Sequence, residues 1–264
     1  MNRQVEQTLP DCYGFRSGPR GTHTSRTLML AELRSLLDAR PATATREDYR
    51  TAILDDNALG KKTATTRRLT DQRLSELYAL NLKVALFRLL RFFWNLGQEG
   101  RPLLALLCAS ARDPLLRLTA GPVLEAKPGD AVTASVLATA VGDAYPDRFN
   151  DSTRNKIARN AASSWTQSGH LAGHRGKKRT RPVATPANAA YALALGYLAG
   201  VRGQLLLTTF WARLLDRPTG EIAELAGQAS RRGWINYRQA GSVIEVRFPE
   251  LLTAEEQEAL RGED

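Results

Sequence analysis

The sequence predicts a mainly α-helical protein, in which a helical bundle is followed by two units of helix, turn and short β-hairpin. Hydrophobic residues recur every three or four positions through the first half, which is typical of packed helices. Twice in the second half, a helical pattern ends at a glycine and two β-like runs follow around a polar tip. We therefore divide the chain into a flexible arm (1–24), a bundle (25–126), a first unit with trailing helices (127–215), and a second unit with a tail (216–264).

The arm and the bundle differ in periodicity. Residues 1–24 are rich in Gly, Pro, Arg and Thr and show no regular spacing of apolar residues, so we expect a loose arm. Helices are predicted from Ser25 up to Pro41, over Glu47–Leu54, over Thr65–Leu82, along the apolar run that ends at Trp94, and from Pro102 onward.

Two apolar features of the bundle are interpreted as packing. An aromatic cluster has helical spacing, whereas base-stacking platforms usually lie on exposed strands or loops. Its members are Phe87, Phe92, Phe93 and Trp94. Cys108 lies in an apolar run and is expected to be a small core residue, and with Cys12 it forms no metal or disulfide pattern.

The first unit begins after the boundary at Lys127–Asp130. A small helix is predicted over Ala131–Ala144, and Asn150 or Asp151 caps a second helix over Ser152–Ser168 that Gly169 ends. The basic run His174–Arg181 then separates two predicted strands, Leu171–Ala172 and Val183–Ala184. This order of helix, helix, turn and hairpin is that of a winged helix-turn-helix.

A similar pattern closes the chain. Trailing helices are predicted over Pro186–Leu198 and Gly203–Leu215, and Thr219 is expected to cap a helix over Gly220–Arg232. Two strand-like runs, Trp234–Arg238 and Ser242–Phe248, flank Gln239–Gly241 and form a second possible winged unit, and a polar helix follows over Thr253–Leu260.

Most of the net positive charge lies in the first unit. The chain has a net charge of +10, and Arg148–Arg181 alone carries nine Lys or Arg against one acid, Asp151. A strongly basic balance indicates a polyanionic partner, and nucleic acid is a commoner one than an acidic membrane surface.

The helix Ser152–Ser168 divides into two sides. Small and apolar residues face the expected core: Ile157, Ala158, Ala161, Ala162 and Trp165. The other side carries no acid and holds the predicted DNA contacts Thr153, Lys156, Arg159, Asn160, Ser163 and Gln167. Lys and Arg suit phosphates or guanine, and Asn and Gln suit adenine, so the pattern favours the major groove of double-stranded DNA.

The basic tip is expected to reach the neighbouring backbone or the minor groove. Its predicted DNA contacts are Arg175, Lys177, Lys178, Arg179 and Arg181. The second unit offers possible secondary contacts at Arg231, Arg232 and Arg238, although a dimer or packing role is equally consistent with it. A basic strip in the bundle (Lys61, Lys62, Arg67, Arg68 and Arg73) is read as a solvated helix face.

Motifs for catalysis are missing from the sequence. It has neither a phosphate-binding loop nor a nucleophile elbow, and its three histidines, His23, His170 and His174, have no partner at metal-ligand spacing. We therefore expect a protein that is not an enzyme, with no catalytic residue, metal or cofactor. Because no signal segment and no uninterrupted apolar run of roughly 18 residues occurs, we expect a cytoplasmic protein without a membrane partner.

Several short segments of the bundle resemble one family. They are Tyr49-Arg-Thr-Ala-Ile-Leu-Asp-Asp-Asn-Ala-Leu-Gly-Lys-Lys62, Thr65-Thr-Arg-Arg-Leu69, Arg73-Leu-Ser-Glu-Leu77 and Asp113-Pro-Leu-Leu116. Over about residues 22–215 the chain is similar to the BrxA family of bacterial BREX phage-defence systems. The resemblance implies a non-enzymatic, DNA-binding component of a defence locus, with a helical half similar to the RNA-binding factor NusB. Residues 219–264 lie outside it.

The sequence therefore leads to one main expectation and two alternatives. The first is a DNA-binding accessory protein of a BREX system, which also contacts other proteins of that system. The alternatives are an assembly scaffold whose basic surfaces bind acidic protein partners, and an RNA-binding protein that uses the helical bundle. Oligomeric state and sequence specificity stay open.

Overall fold

The computed structural model describes residues 9–241 and 243–261, which form thirteen α-helices and two short antiparallel hairpins. The helices are α1 (Leu30–Asp38), α2 (Arg46–Leu54), α3 (Ala64–Tyr78), α4 (Ala85–Trp94), α5 (Arg101–Arg112), α6 (Pro114–Leu118), α7 (Ala120–Glu125), α8 (Ala134–Ala144), α9 (Asp151–Gln167), α10 (Pro186–Leu198), α11 (Phe210–Arg213), α12 (Thr219–Arg231) and α13 (Ala254–Arg261). The strands are β1 (Leu171–Ala172), β2 (Lys178–Arg179), β3 (Asn236–Ala240) and β4 (Val243–Arg247). The predicted mainly helical class is confirmed.

Side-chain caps explain why several helices begin where the sequence indicates. Asn150 accepts a hydrogen bond from the Thr153 amide and caps α9, as predicted. Reciprocal capping boxes start α2 at Thr45 and α10 at Thr185. In α12, by contrast, the predicted cap Thr219 is already the first helical residue, and Pro218 precedes it.

Several predicted helices are shorter or interrupted. The helix expected over Thr65–Leu82 ends at Tyr78, because Ala79 and Leu80 have positive φ of 66° and 51°, and the helix expected over Ala131–Ala144 begins at Ala134. The helix expected from Ser25 begins only at Leu30, since Met29 adopts a left-handed conformation with φ of 53°. The helix expected over Gly203–Leu215 is a 3-10 turn, Gly203–Thr208, followed by α11. Thr209 separates them because its ψ of 161° is extended, and its hydroxyl caps α11 by accepting from the Ala212 amide.

The predicted loose arm is ordered by packing over its described part, residues 9–24; residues 1–8 lie outside the described residues. Phe15 is buried and its ring lies 5.2 Å from that of Trp211. Gly21 lets the segment pass close to α6, because a Cβ there would lie 2.2 Å from the Asp113 carboxylate. Close backbone approach and two buried aromatic side chains, Tyr13 and Phe15, therefore hold a segment that has no periodicity.

One hydrophobic core runs from Tyr13 to Leu260 and joins all the predicted parts. Its centre is α10, which packs against α4, α5, α11 and α12. We expected α10 to trail the first unit, but almost all its side chains are buried, as for a helix that is apolar on every side. Within this core Phe87, Phe93 and Trp94 are fully buried, which confirms the packing interpretation for them, while Phe92 is 38% exposed.

A second, smaller core holds α6, α8 and α9 together. Leu115, Val141 and Ile157, one from each helix, are fully buried against one another. This three-helix cluster positions α9 and the hairpin that follows it.

Candidate nucleic-acid interface

The inner side of α9 is the one that the sequence predicts. Ile157, Ala158, Ala161, Ala162 and Trp165 are all buried. The Trp165 indole nitrogen donates to the Thr119 hydroxyl at 2.8 Å, which satisfies its only polar group. With the inner side fixed in this way, the rotation of α9 about its axis is determined.

The exposed stripe of α9 consists of Ser152, Asn155, Lys156 and Arg159, with half-buried Ser163 at one end. At the other end is the exposed Asp151, which pairs with Arg154 at 3.5 Å. The spacing of the stripe residues, three and four positions, places them on one side of the helix. Among the described residues, neither Lys156 nor Arg159 forms an ion pair. The sequence prediction omitted Asn155, which lies at the edge of the polar side of the helix. Its spacing from Ser152 and Arg159, with no acid among them, would have identified it as part of the exposed stripe.

Asn160 and Gln167 lie beside this stripe and contact the N-terminal segment. The Asn160 amide nitrogen donates to the His23 carbonyl at 2.8 Å. The Gln167 amide accepts from the Leu30 backbone N–H and donates to the Thr27 hydroxyl, each at 3.1 Å. Both side chains are half-buried, and these hydrogen bonds hold their amide groups against the N-terminal segment. Thr153 is also half-buried.

A buried polar relay ties α9 to the N-terminal segment and to α6. His23 bonds Asp113 Oδ2 through Nδ1 at 2.7 Å and the Ser164 hydroxyl through Nε2 at 2.8 Å. Burial opposes ionisation of Asp113, but the adjacent His23 and the backbone N–H donors hold the pKa of its carboxyl below its ordinary value.

The relay resembles a Ser-His-Asp triad, yet its surroundings are structural. Ser164 Oγ accepts from the Leu28 backbone N–H at 2.8 Å and donates to the Asn160 carbonyl at 3.0 Å. Ser164 and His23 are fully buried and Asp113 is 1% exposed, so no substrate reaches the hydroxyl. The relay therefore orients α9.

The hairpin β1–β2 is anchored on both sides of β2. Leu171 pairs with Arg179 and Ala172 with Lys178. On the other side, the Gly129 amide donates to the Arg179 carbonyl at 2.8 Å and the Val132 amide donates to the Lys177 carbonyl at 2.9 Å. The predicted second strand at Val183–Ala184 is therefore wrong: β2 lies within the basic run, where two backbones offer it hydrogen bonds, whereas Pro182 lacks an N–H.

The cations of the hairpin fall into two groups. Arg175, Lys178 and Arg181 are exposed and, within the described residues, form no ion pair. Lys177 is half-buried and its ammonium donates to the Gly173 carbonyl at 3.1 Å. Arg179 is 2% exposed and pairs with Asp216 at 2.8 Å, so its guanidinium makes a structural contact within the protein.

The Gly169 turn holds a buried neutral histidine. His170 bonds the Ser168 hydroxyl through Nδ1 at 2.9 Å and donates from Nε2 to the Leu214 carbonyl at 3.0 Å. Burial lowers the pKa of its imidazole to about 3.

Among the described residues, no three His, Cys, Asp or Glu side chains are grouped so as to hold a metal ion.

The other basic surfaces differ in how their cations are paired. Arg231, Arg232 and Arg238 are exposed, and the Arg232 guanidinium lies 5.1 Å from the Trp234 ring centre. In the bundle strip, Lys61 pairs with Glu32 and Arg73 pairs with Glu76.

No known family model matches the chain, and the curated proteins show no significant similarity to it. None of the described helices is long and apolar enough to cross a membrane.

Proposed function

We propose that this protein binds double-stranded DNA without catalysis, by inserting the exposed stripe of α9 into the major groove. The observation that carries the proposal is the row of exposed cations on α9 and the adjoining hairpin, with no acid between Ser152 and Arg181. In support, α6 and α7 are followed by residues 129–132 alongside β2, then by α8, α9 and the hairpin β1–β2, an order consistent with a winged helix-turn-helix.

Each part of this surface has its own chemistry. Lys156 and Arg159 suit phosphate oxygens or guanine, and the exposed Asn155 amide suits the paired donor and acceptor of adenine. Arg175, Lys178 and Arg181 extend from the hairpin toward the neighbouring backbone, where they add affinity with little sequence information.

We also propose that the protein serves a BREX phage-defence system, with a NusB-like helical half. The support is the similarity of residues 49–77 and 113–116 to the BrxA family. Asp113 of the second segment caps α6 and joins the relay that orients α9. The resembling segment thus contributes directly to the geometry of the DNA-binding surface.

A scaffold role is the second candidate, and one observation favours it. Leu205 and Val243 are 69% and 70% exposed, next to the contact between β4 and the 3-10 turn at Gly203–Thr208. RNA binding through the bundle has less support, because ion pairs occupy Lys61 and Arg73 of its basic strip.

Fluorescence anisotropy with labelled duplex DNA and hairpin RNA tests the proposal. One variant, K156E/R159E/K178E, reverses three exposed cations of the surface. Its matched control, R34E/R213E/R261E, makes the same charge change at exposed residues elsewhere. We expect the surface variant to lose duplex binding and the control to keep it. Equal binding by both variants, or a preference for RNA that the surface variant retains, would overturn the proposal.

A further inference from the structure

A second basic surface lies at the start of α9. A cleft of about 850 Å³ opens between the segment 11–24, α3 and the residues just before α9. Five arginines line it, Arg16, Arg20, Arg73, Arg112 and Arg148, against two acids, Asp11 and Glu76.

Glu76 does not neutralise the cleft as a whole. Its carboxylate accepts hydrogen bonds from Arg73, from the Thr22 hydroxyl and from the Gln72 amide, at 2.7, 2.7 and 2.9 Å. Its charge is thus balanced by Arg73. Four arginines then remain against Asp11.

Arg112 forms part of the floor of the cleft and is a buried cation. It is 6% exposed and donates to the carbonyls of Glu76, Gly14 and Ser75. Within the described residues, no carboxylate lies at ion-pair distance from it. Burial lowers the pKa of its guanidinium to about 10, and repulsion from Arg16 acts in the same direction. A buried cation balanced only by carbonyl dipoles favours an anion beside it.

Arg16 presents its side chain from a fixed backbone. Its amide donates to the Ala111 carbonyl at 3.1 Å, and its carbonyl accepts from the buried Arg117 at 2.8 Å. The side chains of Arg16, Arg20 and Arg148 are exposed and, among the described residues, carry no ion pair. The backbone of Arg16 is therefore already organised before any ligand arrives.

We infer that this cleft binds phosphate groups, and that they belong to the backbone of the duplex held by α9. The inference rests on the proposed function. Because α9 has 17 residues, it is about 25 Å long. The cleft adjoins its first turn and the hairpin follows its last. The two basic surfaces would then contact phosphates on either side of the groove that α9 occupies, and guanidinium forks suit phosphate oxygens.

Two binding measurements on the full chain test the cleft. The variant R16Q/R20Q/R148Q removes three exposed charges, and R34Q/R213Q/R261Q is its matched control. Duplex affinity is measured by anisotropy over a range of salt concentrations, and calorimetry follows binding of tripolyphosphate. We expect the cleft variant to bind tripolyphosphate about tenfold more weakly. We also expect the slope of its log affinity against log salt concentration to be smaller in magnitude by about 2 to 3. The control should match the wild type in both.

The outcomes separate this inference from the proposed function. Normal duplex and tripolyphosphate binding by the cleft variant would overturn the inference and leave the α9 surface standing. Failure of the wild type to bind duplex would overturn the proposed function. In that case, tripolyphosphate binding that depends on the cleft would support a phosphate site for a free ligand, and its absence would remove the site.

Discussion

The buried Arg179 and the half-buried Asp216 form an ion pair, with 2.8 Å between Nη2 and Oδ1, that links the hairpin β1–β2 to the chain after α11. Arg179 also donates to the His170 carbonyl at 3.2 Å. The neighbouring Arg217 donates to the Pro182 carbonyl at 3.0 Å. A residue within a basic run thus serves the fold, while its neighbour Lys178 faces solvent.

Adjacent residues should therefore give opposite phenotypes. Replacing Arg179 by Met leaves the Asp216 carboxylate without its partner in a largely buried site, which should cost about 2–4 kcal/mol of unfolding free energy. Replacing Lys178 by Met should change stability by no more than about 0.5 kcal/mol and weaken duplex binding. Urea denaturation and anisotropy measure the two effects. Unchanged stability of the Arg179→Met variant would refute the structural role.

The relay gives a second matched pair. In the Ser164→Ala variant, the buried Leu28 N–H and His23 Nε2 each lose a partner, so we expect a loss of roughly 2–4 kcal/mol of unfolding free energy. Ser163→Ala is the control, because its hydroxyl has only a weak contact with Gln167 at 3.4 Å. If the Ser164→Ala and Ser163→Ala variants lose the same unfolding free energy, the relay does not orient α9.

His170 should make stability depend on pH. Its folded pKa is lowered to about 3 from the ordinary value of 6.5. As the pH falls below 6.5, the unfolded chain binds a proton that the folded chain does not, so the unfolding free energy decreases. The slope from this group approaches about 1.4 kcal/mol per pH unit between pH 6 and 4. Measuring the unfolding free energy of wild type and of His170→Gln at several pH values in this range isolates the contribution of His170. If the two proteins lose stability in parallel as the pH falls, His170 is not the group responsible.

Asn155 and Asn160 separate recognition from packing. Asn155 is exposed on the stripe, so its replacement by Ala should narrow affinity differences between duplex sequences by about 1–3 kcal/mol if it contacts adenine. Asn160→Ala should instead lower the melting temperature, since its amide holds the His23 carbonyl. Affinities for a panel of duplex sequences measure the recognition role of Asn155, and a thermal melt measures the packing role of Asn160. Loss of discrimination in the Asn160 variant would reverse these roles.

Local patterns determined much of what the sequence predicts correctly. Helical spacing indicates five of the six buried residues of α9, and the Asn150 cap indicates where the helix begins. These features depend on residues within a few positions of one another, so a single chain is enough to find them.

The features that the sequence does not reveal are contacts between distant residues. Arg179 and Asp216 are 37 positions apart, and Asn160 and His23 are 137 apart. A helix projection distinguishes the core side of α9 from the polar side, but it does not show that residues 22–30 cover one edge of the polar side. Similarly, the composition of residues 9–24 carries no sign that Phe15 inserts beside Trp211.

The salt dependence of duplex binding tests the central claim most directly. Wild type, K156Q/R159Q/K178Q and the control R34Q/R213Q/R261Q are titrated with one duplex between 50 and 200 mM salt. If α9 and the hairpin carry the phosphate contacts, the surface variant should show a slope of log affinity against log salt that is shallower by about 2 to 3, since each lost contact contributes roughly 0.9. The control should keep the wild-type slope. A surface variant whose affinity and slope equal those of the control would show that DNA does not lie on α9.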